Sequence, residues 1–130
     1  MKTRIGIWYG LGPSLLLLSP LSAAPGADVQ VEVGFLLQYI EESGCEFYRN
    51  GTWYDGRHAR AHLSGKYQYL AGRDQISTTV EFIERVATRS SLTGIPYQIR
   101  CQGSAPVGSN QWLSDALAVY RQANPAPTAP

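Results

Sequence analysis

Two histidines four residues apart are the residues of this sequence whose spacing most directly suggests chemistry. On a helix, His58 and His62 would lie on one face, which is the arrangement of two metal ligands. The metalloprotease pattern requires a glutamate directly after the first histidine, but Ala59 stands there and no obvious third ligand is near. We therefore predict no metal ion and no cofactor, with His62 contributing packing or a hydrogen bond and His58 solvated.

Serine nucleophiles are a second kind of chemistry to consider. None of the candidates lies in a nucleophile-elbow motif such as G-x-S-x-G, although spacing alone excludes no triad, because triads assemble in space. The candidates are Ser64, Ser77, Ser90 and Ser91. Nothing in the sequence singles out one of them, so we predict no catalytic residue.

The start of the chain has the order of a signal peptide. Lys2 and Arg4 precede an apolar run over residues 5–18, which is followed by a proline and small residues. The run is shorter than the roughly 20 residues that span a bilayer, and Gly10, Gly12 and Pro13 interrupt it. We therefore predict a signal peptide over 1–24, a periplasmic or secreted protein, and no stable membrane anchor after cleavage.

The predicted export favours a disulfide between the two cysteines of the domain, because thiols that can meet are oxidised to disulfides outside the cytosol. Cys45 and Cys101 have no C-x-x-C spacing and no neighbouring histidine, which argues against a metal pair or a redox couple. We predict a structural disulfide between them.

The charge of the chain excludes one class of partner. Removing Lys2 and Arg4 with the leader leaves 11 − 2 = 9 basic residues against 10 acidic ones. Without an excess or a run of positive charge, the chain has no electrostatic signature for a phosphate backbone. We expect no nucleic acid among its partners.

The rest of the chain predicts one small α+β domain over residues 25–122. Apolar periodicity and turn signals indicate helices and a small antiparallel sheet of about three strands, a hairpin plus one strand, packed against about four helices. The predicted helices are 28–43, 56–69, 78–89, with Val80, Ile83, Val86 and Ala87 inward, and one around 112–120; the predicted strands are 45–49, 52–54 and 97–101. Residues 102–110 are predicted to be a loop, and 123–130 a disordered tail rich in proline and alanine.

The predicted hairpin leaves one pair of aromatic side chains outside. With a two-residue Asn-Gly turn, Phe47 faces Tyr54 on the side that Cys45 shares, which we expect to be the core side. Tyr48 and Trp53 then face each other on the other side, partly exposed.

Five residues of the predicted domain are candidates for a binding surface. Aromatic rings beside basic side chains suit sugars, through stacking, and anionic peptides or glycans, through charge-assisted hydrogen bonds. The candidates are Tyr48, Arg49, Trp53, Lys66 and Arg100. The alternative is that they are ordinary surface residues.

Several motifs in this order match a known family. They are Ser43-Gly44-Cys45-x-Phe47-x-Arg49-Asn50-Gly51-x-x-Tyr54, His62-Leu63-x-x-Lys66-Tyr67, Phe82-Ile83, Ser90-Ser91-x-x-Gly94-x-Pro96-Tyr97-x-Ile99-Arg100-Cys101 and Trp112-Leu113. In these motifs the chain resembles the YfeK-like family of small exported bacterial proteins, over residues 33–121. The resemblance implies a periplasmic or secreted single domain of unknown function, with no assigned reaction, cofactor or partner.

Three functional hypotheses follow. The first is a non-enzymatic envelope protein that binds an envelope protein or a glycan through the hairpin and Arg100. The second is a small periplasmic hydrolase or metal-dependent enzyme that uses His62 and Lys66, which requires both side chains and the Ser90-Ser91 loop to converge in one cavity. The third is a stabilising or inhibitory partner of another exported protein.

Overall fold

A computed structural model describes residues 27–125 of the chain. The signal peptide predicted over 1–24 lies outside this range, as do residues 126–130 of the tail predicted over 123–130. The elements are helices α1 (Ala27–Glu42), α2 (Gly56–Ala71), α3 (Thr79–Glu81) and α4 (Ser109–Ala123), a π-helical segment (Phe82–Val86), and strands β1 (Glu46–Arg49), β2 (Thr52–Tyr54), β3 (Gln98–Arg100) and β4 (Val107–Gly108). No helix in this range is long and apolar enough to cross a membrane.

The four strands form one antiparallel sheet in the order β2-β1-β3-β4, which confirms the α+β class. Asn50 and Gly51 both have positive φ, 50° and 93°, as the turn between β1 and β2 requires. The register also agrees with the prediction, because Phe47 is opposite Tyr54. The loop prediction for 102–110 is wrong in part, since β4 lies inside it and pairs with β3.

The helices cover one face of the sheet, and the core lies between them. Strand alternation puts Phe47 and Ile99, which are paired across β1 and β3, on this face, where they are 8% and 1% exposed. Cys45 and Cys101 flank the same two strands and form the predicted disulfide. The first strand of the hairpin and β3 are therefore joined both by hydrogen bonds and by a covalent bond.

The prediction that Val80 faces inward is wrong, because its side chain is 48% exposed. Thr79 occupies the interior position instead and is 1% exposed, since its hydroxyl donates a hydrogen bond of 2.6 Å to Glu32 of α1. The buried positions that follow are Phe82, Ile83, Val86 and Ala87. Helical rotation from Thr79 turns the next residue toward solvent.

The third predicted helix also ends earlier than expected, at Val86 rather than Arg89. Its last turn widens into the π-helical segment, where the Ala87 amide is bonded to the carbonyls of Phe82 and Ile83. The hydroxyl of Thr88 donates to the Ile83 carbonyl, which replaces the next helical hydrogen bond.

Helix α2 is placed by its first residues. The carboxylate of Asp55 accepts the backbone N–H of His58 at 2.9 Å and caps the helix. Gly56 then packs against the end of α1, where a Cβ atom would lie 2.5 Å from the Ile40 carbonyl oxygen. This close approach fixes how α2 lies beside α1, and α2 carries both histidines and Lys66.

Candidate functional site

The five side chains predicted to bind lie on two opposite sides of the sheet. Because side chains alternate along a strand, Tyr48, Trp53 and Arg100 lie on the face away from the helices. Arg49 lies on the other face, as does Lys66, which projects from α2. The structure therefore does not bring these five residues together as one surface.

On the outer face of the sheet, the side chains of Tyr48, Trp53 and Arg100 already have contacts within the chain. The guanidinium of Arg100 donates two hydrogen bonds, of 2.8 and 3.0 Å, to one oxygen of Glu46. Its Cζ atom also lies 3.9 Å from the centre of the Trp53 ring, and the Tyr48 ring lies 5.3 Å from that ring. The positive charge and one aromatic face are thus already engaged within the chain.

On the face of the sheet that the helices cover, Arg49 and Lys66 both line a cavity of about 380 Å³. Its lining comprises Arg49, Asn50, His62, Lys66, Tyr69, Leu70, Ser90, Ser91, Leu92 and Tyr97. Arg49 ends β1, Tyr97 precedes β3, and His62 and Lys66 stand one turn apart on α2. The convergence that the enzyme hypothesis requires, with the Ser90-Ser91 loop beside both side chains, is present.

The hydroxyl of Tyr97 is the centre of the hydrogen bonds in this cavity. It lies 3.2 Å from Nε2 of His62 and 3.4 Å from Nζ of Lys66, while the Tyr97 side chain is largely buried. Lys66 also donates a hydrogen bond of 2.9 Å to the backbone carbonyl of Arg89. The ammonium group is thereby held in place by neutral oxygens.

The electrostatics of the cavity are those of a positive site without a counterion. Burial lowers the pKa of His62, and the charges of Arg49 and Lys66 lower it further. Burial also lowers the pKa of Lys66, with a second contribution from Arg89. Burial raises the pKa of Tyr97, so its hydroxyl stays protonated at neutral pH. Near pH 7 the histidine is therefore mostly neutral, and the permanent charges are those of the arginine and the lysine.

Among the residues that the structure describes, no carboxylate lines this cavity. Within residues 27–125, neither Arg49 nor Lys66 forms an ion pair with an acidic side chain, whereas Arg60, Arg100 and Arg121 do. The guanidinium of Arg49 lies 5.0 Å from the centre of the Tyr54 ring. The two cations that line this cavity thus have aromatic and carbonyl neighbours but no anionic one within residues 27–125.

Ser90 has a structural role in the loop beside the cavity. Its oxygen accepts hydrogen bonds from the Asn50 side chain at 3.2 Å and from the backbone N–H groups of Leu92 and Thr93 at 3.2 and 3.3 Å. The hydroxyl of Thr93 in turn donates to the side-chain oxygen Oδ1 of Asn50 at 2.7 Å. These bonds fasten the loop to the hairpin turn and occupy the oxygen that a nucleophile would need.

The two histidines do not act as a pair. His58 is exposed and contacts the Asp55 carboxylate at 3.1 Å, whereas His62 is directed toward Tyr97. In the part of the chain that the structure describes, no three His, Cys, Asp or Glu side chains are grouped as metal ligands would be.

Tyr97 is the site residue that sequence reasoning did not select. It lies on the same side of the strand as Ile99, facing the core, and is 7% exposed. A buried tyrosine usually needs a partner for its hydroxyl, and this expectation could have directed attention to it.

Comparison with known proteins places the chain in a family. The model of a family of unknown function, DUF5329, matches residues 27–121. The uncharacterized protein YfeK of Salmonella typhimurium (strain LT2) is 33% identical over 85 residues, which cover 65% of this chain and 69% of that protein. No solved structure is significantly similar. The chain therefore belongs to the DUF5329 family of unknown function, in agreement with the resemblance to YfeK-like proteins.

Proposed function

We propose that this protein is a non-enzymatic binding module of the bacterial cell envelope that captures an anionic group of another envelope component. The observation that carries the proposal is the convergence of Arg49 and Lys66, without a carboxylate partner in residues 27–125, in a cavity shared with His62 and Tyr97. A carboxylate or a phosphate has the charge and the acceptor oxygens that these groups lack.

Like charges repel each other in this cavity. Positive side chains held near each other disfavour additional positive charge, and the lowered pKa of His62 reflects this together with burial. A bound anion is instead attracted by these positive side chains. In a partly buried cavity, water screens this attraction less than at an open surface.

Two observations support a location outside the cytosol. The Cys45–Cys101 disulfide is the kind of bond that persists in oxidising compartments. The order of charged, apolar and small residues over 1–24 is that of a secretory leader.

The enzyme hypothesis is favoured by one feature, the Tyr97 hydroxyl that lies between His62 and Lys66. Such a contact suits proton transfer. A hydrolase also needs a nucleophile, and the Ser90 oxygen is already engaged by three N–H donors. Binding is therefore the function that the geometry supports better.

The proposal is tested by titrating the purified protein with inorganic phosphate and with acetate at constant ionic strength, followed by NMR. We expect saturable shifts in the signals of the His62 ring and of the Arg49 and Tyr97 amides. Replacement of a cation, Arg49→Gln or Lys66→Gln, removes charge-assisted hydrogen bonds and should weaken binding by about tenfold to hundredfold.

Arg57→Gln is the matched control, because it removes the same charge from an exposed position of α2 outside the cavity. We expect it to change the affinity less than twofold. Equal weakening by Arg57→Gln and Arg49→Gln would show that the anions respond only to net charge, and the absence of saturable shifts would refute the site.

A further inference from the structure

A second, smaller cavity adjoins the positive one. It has a volume of about 70 Å³ and lies between α2, the sheet and α4. Arg49, His62 and Tyr97 line both cavities and therefore form the border between them. The apolar side chains of its wall include Phe47, Ala59, Leu63, Ile99 and Leu113.

This smaller cavity is suited to an apolar group rather than to water. Ser109 is a buried polar side chain in its wall, but its hydroxyl already donates to the Ala87 carbonyl. A buried water needs two to four polar partners, and apolar cavities are instead filled by apolar ligands. The volume corresponds to roughly five water-sized groups, and a methylene group is of similar size.

We propose that the ligand is a small amphipathic carboxylate. Its carboxylate lies between Arg49 and Lys66 in the larger cavity, and its short apolar tail passes Tyr97 and His62 into the smaller one. This inference rests on the proposed function for the anionic head and adds the tail as the second recognition element.

Two features of the site favour a carboxylate of this kind. A planar guanidinium such as that of Arg49 binds both oxygens of a carboxylate through parallel N–H donors. Lys66 and the Tyr97 hydroxyl are 3.4 Å apart, so both can contact the same small head group. The limited volume of the apolar cavity, about 70 Å³, then sets the length of the tail at about four to six carbon atoms.

The test is a calorimetric titration of the purified protein with acetate, butyrate, hexanoate and octanoate, and with neutral 1-hexanol. Each methylene group that is buried should raise the affinity about fourfold, up to about six carbons, beyond which the affinity should level off. Hexanol lacks the charge and should bind at least about tenfold more weakly than hexanoate.

A pair of substitutions on α2 locates the tail. Ala59→Leu extends a side chain into the apolar cavity and should remove the advantage of hexanoate over acetate while acetate still binds. Ala61→Leu is the control, because Ala61 is exposed on the same helix and should leave the whole series unchanged. If Ala59→Leu does not fold, the tail series on the unaltered protein still decides.

The outcomes separate the inference from the function on which it rests. An affinity that is the same from acetate to octanoate, with saturable acetate binding, overturns the tail and leaves the anion site intact. The absence of binding by every carboxylate and by inorganic phosphate overturns both. A hexanol affinity equal to that of hexanoate also refutes the anionic head, because the cavity would then be selecting only for apolar bulk.

Discussion

Replacing Gly56 by alanine should destabilise the protein because there is no space for a methyl group. The added Cβ would lie 2.5 Å from the Ile40 carbonyl oxygen and 2.9 Å from that of Glu41, whereas ordinary contact begins at about 3.4 Å. Helix α2 must therefore move away from α1 by about 0.9 Å, or the end of α1 must yield. Such overpacking costs about 1–3 kcal/mol, which lowers the melting temperature by about 4–20 °C in a domain of this size.

Gly65→Ala on the same helix is the matched control, and we expect it to change the stability in the opposite direction. Nothing lies within 4 Å of its added Cβ, so the change should only improve helix propensity and stabilise by about 0.5–1 kcal/mol. Thermal unfolding by circular dichroism measures both variants. Because α2 carries His62 and Lys66, Gly56→Ala should also weaken phosphate binding, and Gly65→Ala should not. Melting temperatures that shift in the same direction would refute the close packing of α1 and α2.

Reduction of the disulfide and titration of His62 give two further predictions. The Cys45–Cys101 bond spans a sequence separation of 56, and a closed loop of this length stabilises by about 4 kcal/mol in the chain-entropy model, so reductant should lower the melting temperature by about 15–30 °C. An unchanged melting temperature would contradict that contribution. Since the folded protein lowers the pKa of His62 through burial and the charges of Arg49 and Lys66, the unfolded chain binds more protons as the pH falls through about 6.5, and stability should fall with it. His62→Gln should flatten this dependence in urea unfolding between pH 5 and 8, and an unchanged slope would assign it to another group.

The elements that the sequence predicts well are those with a strong local signal. The Asn50-Gly51 pair determines the turn, and the two-residue turn then places Phe47 inward and Tyr48 outward by alternation alone. The capping side chain of Asp55 is likewise readable from its position before α2. These features depend on neighbours in the sequence, so no knowledge of the fold is needed to predict them.

The features that the sequence did not reveal depend on distant partners. Thr79 is buried because Glu32, 47 positions earlier, accepts its hydrogen bond, so hydrophobicity alone favours Val80 for the interior. The two residues of β4 are a strand only because β3 lies beside them. The burial of a polar residue by a distant hydrogen-bond partner leaves no hydrophobic periodicity in the sequence, and neither does the pairing of a two-residue strand with a sheet edge.

The part of the candidate site that depends on local spacing was predictable from the sequence. The spacing of His62 and Lys66 places them one turn apart on a predicted helix, and both were named as possible site residues. The division of the arginines was not foreseen, because it depends on which charges are neutralised. Arg100 forms an ion pair with Glu46 across β1 and β3, while Arg49, on the opposite face, has no acidic partner within residues 27–125. The register of β1 and β3 determines the pairing of Arg100 with Glu46. The place of Arg49 in the cavity depends instead on how α2 packs over the sheet.

The way the positive site is held argues for recognition rather than an accidental cluster of charges. Repelling side chains on an open surface would separate into solvent, since nothing holds them together. Here Lys66 is fixed by the Tyr97 hydroxyl and a backbone carbonyl, and Arg49 ends a strand whose turn is fastened by the bond between Asn50 and Ser90. The Lys66 ammonium and the backbone that carries Arg49 are therefore held in place without an anion, and a ligand that enters need not order them. A site of this kind gains affinity mainly from charge and from whatever apolar group the adjoining cavity accepts.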